Sequence, residues 1–185
     1  MTFAARRGVL AAQEKEAEMR ARVICESSFG NTRRIAEAMA MELHTEVLGA
    51  GDSVDLDEVD LLVVGAPTHV HGLPSERSRK AAVEQGGTDG DGVRDWLDGL
   101  PRGTGRAAAF DTRFEKPAFL TGSAAKGIAK RLRRHGFELV AEPESFFVHG
   151  TKGPLKNGEL ERAAAWARAL RDQVEDVERL AVGSH

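Results

Sequence analysis

The residues with the most chemical promise sit close together near the start of the chain. Cys25-Glu26-Ser27-Ser28-Phe29-Gly30-Asn31-Thr32 gathers a thiol, a carboxylate, three hydroxyls, an amide and a glycine. The apolar run Arg22–Cys25 precedes it, and a helical stripe of Ile35, Ala38, Met39 and Leu43 follows. Hydroxyls at a strand-to-helix turn suit the binding of an anion. The first N–H groups of a helix lack intrahelical partners, and the aligned peptide dipoles leave about half a positive charge there. Ser27, Ser28 and Thr32 add side-chain donors to such a phosphate site. Charge-assisted hydrogen bonds contribute roughly 1.5–3 kcal/mol each, so several on one phosphate hold it without a lysine. The alternative is an ordinary capped turn that needs no ligand.

Other chemistries are poorly supplied. Gly-Lys-Ser/Thr of a nucleotide P-loop is missing, and Gly30 stands alone where a dinucleotide fold needs three spaced glycines. A phosphoryl-accepting receiver needs adjacent acids after the first strand and an Asp after the third, where Gly65-Ala66 stands. His69-x-His71 is half of a metal site, and no thiol or carboxylate lies at ligand spacing. No metal is therefore expected. Cys25, inside a strand, reads as packing rather than as a nucleophile. Nothing resembles a hydrolytic triad, so no catalytic residue is assigned.

The elements that must position these groups alternate in type. Strands are expected at Arg22–Cys25, weakly at His44–Leu48, at Asp60–Ala66 and at Arg106–Phe110. A fifth, interrupted at Pro143, is expected over Phe137–Val140 and Ser145–Val148. Helices are expected at Glu76–Gln85, Val93–Leu100, Ala124–Leu132 and Glu159–Leu180. The unbroken apolar run Leu61–Val64 suits a strand covered on both faces. Such alternation implies an α/β, three-layer, doubly wound sandwich around a five-stranded parallel sheet. Ligands gather at the carboxyl ends of such strands, which directs attention to Ser27–Thr32, Pro67–Leu73 and Asp111–Lys116. Trp96 and Trp166 fall on apolar helical stripes and read as packing residues.

The length of 185 residues fits one domain at 21–185, after an Ala-, Arg- and Glu-rich extension at 1–20, helical or disordered. A net charge of -3 argues against nucleic acid as the main partner. No run approaches the ~18 apolar residues of a membrane span. A single cysteine rules out an internal disulfide framework and makes the reducing cytoplasm the expected compartment. Acids dominate from Asp52 to Asp98 and bases from Arg102 to Arg134, a pattern of solvated faces or of steering toward a charged partner.

Ser27, Gly30 and Thr32 together resemble the phosphate loop of flavodoxins, [ST]-x-[ST]-G-x-T, with Phe29 in place of a hydroxyl. The resemblance extends over residues 21–180 in element order, includes Pro67-Thr68 after the third strand, and is of the short-chain type. It implies FMN, with its phosphate held by Ser27, Ser28, Phe29, Gly30, Asn31 and Thr32. The flavin ring would then lie between Pro67, Thr68, His69, Val70, His71 and Gly72 on one side and Asp111, Thr112, Arg113 and Phe114 on the other. Flavodoxins commonly sandwich the ring between a tryptophan and a tyrosine. This chain has no tyrosine, and neither tryptophan lies in those loops. His69, His71 and Phe114 are left to cover the ring, and either histidine is a candidate proton donor to reduced flavin.

The resemblance implies an electron carrier working between a reductase and an acceptor protein, rather than a stand-alone enzyme. Two alternatives stand beside it: an FMN-dependent NAD(P)H reductase of quinones or similar small acceptors, and a flavin-free interaction module on the same architecture.

Overall fold

The computed structural model describes residues 19–57, 59–69 and 72–182. Residues 1–18 of the extension expected at 1–20 therefore lie outside the described residues. Met19 packs against the core, and the Arg20 N–H donates to Asp60 Oδ2 at 2.7 Å.

The first strand, β1 (Ala21–Cys25), leads into α1 (Asn31–Glu42) and the short β2 (Val47–Leu48). After β3 (Leu61–Pro67) come α2 (Glu76–Glu84), α3 (Val93–Asp98) and β4 (Arg106–Phe114). The chain ends with α4 (Ala118–Thr121), α5 (Ala124–Arg134), β5 (Glu138–Leu139), β6 (Glu144–Val148) and α6 (Glu159–Val182). Strand order is β2-β1-β3-β4-β5, and every pairing is parallel. Both β5 and β6 pair with β4, so the interrupted fifth strand is one sheet position in two pieces. This is the five-position doubly wound sheet expected from the alternation of elements.

Two apolar layers cover the sheet. Val23, Cys25, Leu61, Val63, Phe110 and Phe146 face α1 and α6, meeting Ile35, Met39, Ala167 and Leu170. Ile24, Leu62, Val64, Ala107 and Ala109 face the other way onto Val93, Leu97, Ile128 and Leu132. The strict alternation along β1 and β3 is the two-residue period of a strand buried on both faces. Trp166 packs edge-on to Phe146 at 6.2 Å, and Trp96 packs against the opposite layer, as their helical stripes imply.

Gly65 in β3 exists for Phe110. A Cβ there would stand 2.0 Å from the Phe110 ring, so only a bare Cα lets that ring lie across the strand.

The largest departure from expectation is β4. It runs to Phe114, so Asp111, Thr112, Arg113 and Phe114 are strand, and the loop starts at Glu115. Ala66 and Pro67 pair with Asp111 and Thr112 on one side, while β6 pairs with Phe110–Phe114 on the other. Polar side chains disguised a segment whose backbone is laddered on both edges. The four-residue α4 also went unseen, being too short for any periodicity.

Candidate functional site

The carboxyl ends of β1, β3, β4 and β6 open onto a cleft of about 450 Å³, counting its mouth. Ser27, Ser28, Phe29, Asn31 and Thr32 form one wall; Pro67, Thr68 and His69 another; Thr112, Arg113 and Phe114 a third. Val148 and Thr151 complete the lining. Four segments far apart in sequence thus meet where the parallel sheet brings its strand ends together.

The wall at α1 is built like an anion cradle. Gly30 occupies the N-cap with a left-handed φ of 83°, makes no side-chain cap, and no acid stands in the first helical turn. A Cβ at Gly30 would meet nothing within 4 Å, so the loop is open in front of it. Ser27 Oγ accepts the Arg33 N–H at 3.2 Å, which leaves its own O–H to donate. Thr32 Oγ1 lies 2.7 Å from Thr112 Oγ1, both residues being buried. One hydroxyl of that pair donates to the other, and the acceptor's hydrogen is free to point into the cleft. Lys152, itself exposed, stands 5.8 Å over the Phe29 ring and adds a cation near the same loop.

Asp111 is the girder of the opposite wall. Its side chain is fully buried, and it is not among the lining residues. Asp111 Oδ2 accepts from Thr68 Oγ1 at 3.0 Å, Ser123 Oγ at 2.7 Å and the Ala125 N–H at 2.9 Å. Thr68 Oγ1 in turn accepts the Ala124 N–H at 2.9 Å. One carboxylate therefore fixes the loop after β3, the end of β4 and the start of α5 relative to one another. Arg113 reaches Ser145 Oγ at 3.0 Å and Thr121 Oγ1 at 3.2 Å, tying α4 to the strand ends.

His69 and Gly72 form a tight hairpin through His69 N–H to Gly72 O at 2.9 Å and Gly72 N–H to His69 O at 3.0 Å. Val70 and His71 lie outside the described residues. Burial pushes the His69 imidazole below the ordinary histidine range, which keeps it neutral at pH 7 and makes it a poor proton donor there. Burial likewise pushes the Cys25 thiol up to about 12, which leaves it inert, in keeping with its place in the core. Among the described residues no group of three His, Cys, Asp or Glu side chains is placed to hold a metal.

Of the residues singled out from sequence, Ser27, Ser28, Phe29, Asn31, Thr32, Pro67, Thr68, His69, Thr112, Arg113 and Phe114 line one cleft. Gly30 shapes the loop without lining that cleft, Gly72 closes the hairpin, and Asp111 supports from below. Sequence reasoning missed Val148 and Thr151, although their place at the end of the fifth strand and just after it carried the same carboxyl-end signal as the loops it chose. It also missed Phe119, 84% exposed, and Leu120, 55% exposed, on α4.

No family model and no curated protein matches the chain. Solved structures do. A flavodoxin from the domain Archaea matches with a TM-score of 0.57 at 21% identity, over 85% of this chain and 99% of that one. Oxidised flavodoxin 1 from Bacillus cereus gives 0.61 at 20% identity, over 83% and 97%. A flavodoxin of Streptococcus pneumonia TIGR4 gives 0.58 at 17%, over 83% and 98%. With its sheet order and flanking helices, the chain is a flavodoxin-like α/β protein. At these identities the likeness is one of fold.

Proposed function

We propose that this protein binds FMN noncovalently and carries electrons between redox proteins. The observation that carries this reading is the acid-free start of α1, whose Gly30 N-cap supplies no side-chain cap and whose Asn31 and Thr32 N–H groups precede the one held by Ser27, with the Ser27–Thr32 hydroxyls at one wall of the cleft. That chemistry suits a dianionic phosphate ester: Ser27 and the Thr32–Thr112 pair would donate side-chain bonds, and the α1 backbone would supply its field.

The ring would rest at the open face between Pro67–His69 and Thr112–Phe114. Phe114 is 41% exposed and offers an aromatic face, and Phe119 is a second aromatic side chain on α4 close by in sequence. Asp111 and Arg113 hold those walls in place through the bonds described above. When bound, FMN supplies reversible one- and two-electron chemistry, so the protein needs to orient it and exclude water rather than provide an acid or base. The role of carrier follows, in a reducing cytoplasm that suits a lone buried thiol. Exposed Lys126, Lys130, Arg133 and Arg134 on α5 form a basic face able to steer a partner by long-range attraction.

The test is the absorption spectrum of purified protein with added FMN. Retention of flavin absorbance through desalting, with quenched flavin fluorescence, is expected; free passage of all the FMN at micromolar protein overturns the proposal. Oxidation of NADPH by the protein alone would reassign it as a reductase, whereas a requirement for a separate reductase supports the carrier.

A further inference from the structure

Exposed apolar side chains are concentrated at the mouth of the cleft. Seven large ones are exposed among the described residues, and three of them, Phe114, Phe119 and Leu120, fall within one short stretch of chain. Phe114 lines the cleft, and α4 is pinned beside it by one side chain. The Arg113 guanidinium donates to Phe114 O at 3.3 Å, to Lys116 O at 2.5 Å and to Thr121 Oγ1 at 3.2 Å. The patch is therefore braced both before and after Pro117.

The charge around it has one sign. From Arg113 to Arg134 the chain carries seven cations and one acid, Glu115, in a protein whose net charge is -3. Glu115 is taken up by Lys156 and Arg131 by Asp98, and Arg113 lies 3.8 Å from Asp111. Lys116, Lys126, Lys130, Arg133 and Arg134 are exposed, and among the described residues no ion pair engages them. Lys116 and Lys126 flank α4 in sequence, and Lys126, Lys130 and Arg133 follow at helical spacing along α5.

Aromatic and aliphatic side chains flanked by cations make the apolar centre and polar rim of a small docking interface. A second copy of this chain does not fit. In a two-fold contact the patch meets itself, which sets its cations against one another. Three apolar side chains also fall short of what a permanent interface buries, which suits a transient encounter. A membrane-surface helix needs a longer apolar face than the four residues of α4 supply.

We propose that Phe114, Phe119 and Leu120 form the docking surface for a protein that carries an acidic rim around a small apolar centre. The unpaired cations steer that partner, and the three apolar side chains hold it at the mouth of the cleft. That the partner is a redox protein rests on the FMN reading; the acidic docking does not, because it is measured on the flavin-free chain.

The experiment titrates the full, flavin-free, ¹⁵N-labelled chain with plant-type ferredoxin, an acidic iron–sulfur protein, and with cytochrome c, a basic haem protein. Ferredoxin should perturb the amides from Phe114 to Lys126 saturably at about 20 mM salt and bind about tenfold more weakly at about 300 mM. Cytochrome c should perturb none of them. Phe119→Ser combined with Leu120→Ser should weaken ferredoxin about tenfold and leave the salt dependence in place. Lys126→Glu combined with Lys130→Glu should weaken it about tenfold at low salt and hardly at all at high salt. Should that pair disturb α5, Lys116→Glu tests the same charge ahead of α4. Absence of perturbation by ferredoxin, equal or tighter binding of cytochrome c, or unchanged affinity in the folded variants overturns the proposal. So does Phe119-dependent binding to anionic phospholipid vesicles without binding to ferredoxin, which would assign the patch to a membrane. Docking by a chain that lets FMN pass through desalting leaves this surface standing and removes the redox role; FMN retained without docking does the reverse.

Discussion

Replacing Ser27 and Thr32 together by alanine should separate the phosphate of FMN from its ring. Ser27 Oγ already accepts from the Arg33 N–H, and Thr32 Oγ1 shares a hydrogen bond with Thr112 Oγ1 at 2.7 Å. Each arrangement leaves one hydroxyl hydrogen for the cleft. If both reach the phosphate, each is a charge-assisted bond of roughly 1.5–3 kcal/mol. The double variant should then bind FMN about 10²- to 10⁴-fold more weakly. Riboflavin, which carries the ring without the phosphate, should lose less than about threefold. Fluorescence titration of the two flavins side by side measures both. Stability needs its own check, because Thr32→Ala leaves Thr112 Oγ1 buried without its partner, at a cost of about 1–3 kcal/mol. Urea unfolding of the flavin-free proteins separates that loss from binding. Equal losses for FMN and riboflavin in a folded variant would refute the assignment of this loop to phosphate.

Gly65→Ala should destabilise the fold by about 1–3 kcal/mol or more, since the new methyl would meet the Phe110 ring at 2.0 Å. Adding Phe110→Leu should recover part of that loss in urea unfolding, and a purely additive double variant would count against the contact. His69 has a folded pKa depressed by burial, so it contributes stability present above its unfolded pKa of about 6.5 and lost as pH falls through the folded value. His69→Gln should therefore flatten the decline of the urea midpoint between about pH 7 and pH 5; an unchanged slope would show that other groups govern it.

Burial explains why the two titrating groups beside the first strand act differently from their free forms. Cys25 and Glu26 are adjacent, yet the strand turns Cys25 into the α1/α6 layer and Glu26 toward α3. Burial raises the pKa of both, with the Val93 N–H pulling the carboxyl back down. The thiol is spent on packing, whereas the carboxylate keeps one buried oxygen without a hydrogen-bond partner.

Local sequence was enough to specify the alternation of strand and helix, the burial of both faces of β3 and the helical stripes that hold Trp96 and Trp166. Each depends on a period or a composition carried by near neighbours. It also marked Ser27–Thr32, because a hydroxyl-rich turn between a strand and a helix advertises free N–H groups wherever it falls. Asp111–Phe114 was another matter. Those residues look like loop on their own, and they become strand only because β3 and β6 supply hydrogen-bonding edges from distant parts of the chain. The same holds for Asp111 as girder rather than lining, and for the buried, unpartnered oxygen of Glu26. Which face a polar side chain turns to, and what it meets there, is set by segments tens of residues away, and only the assembled sheet brings them within hydrogen-bonding reach.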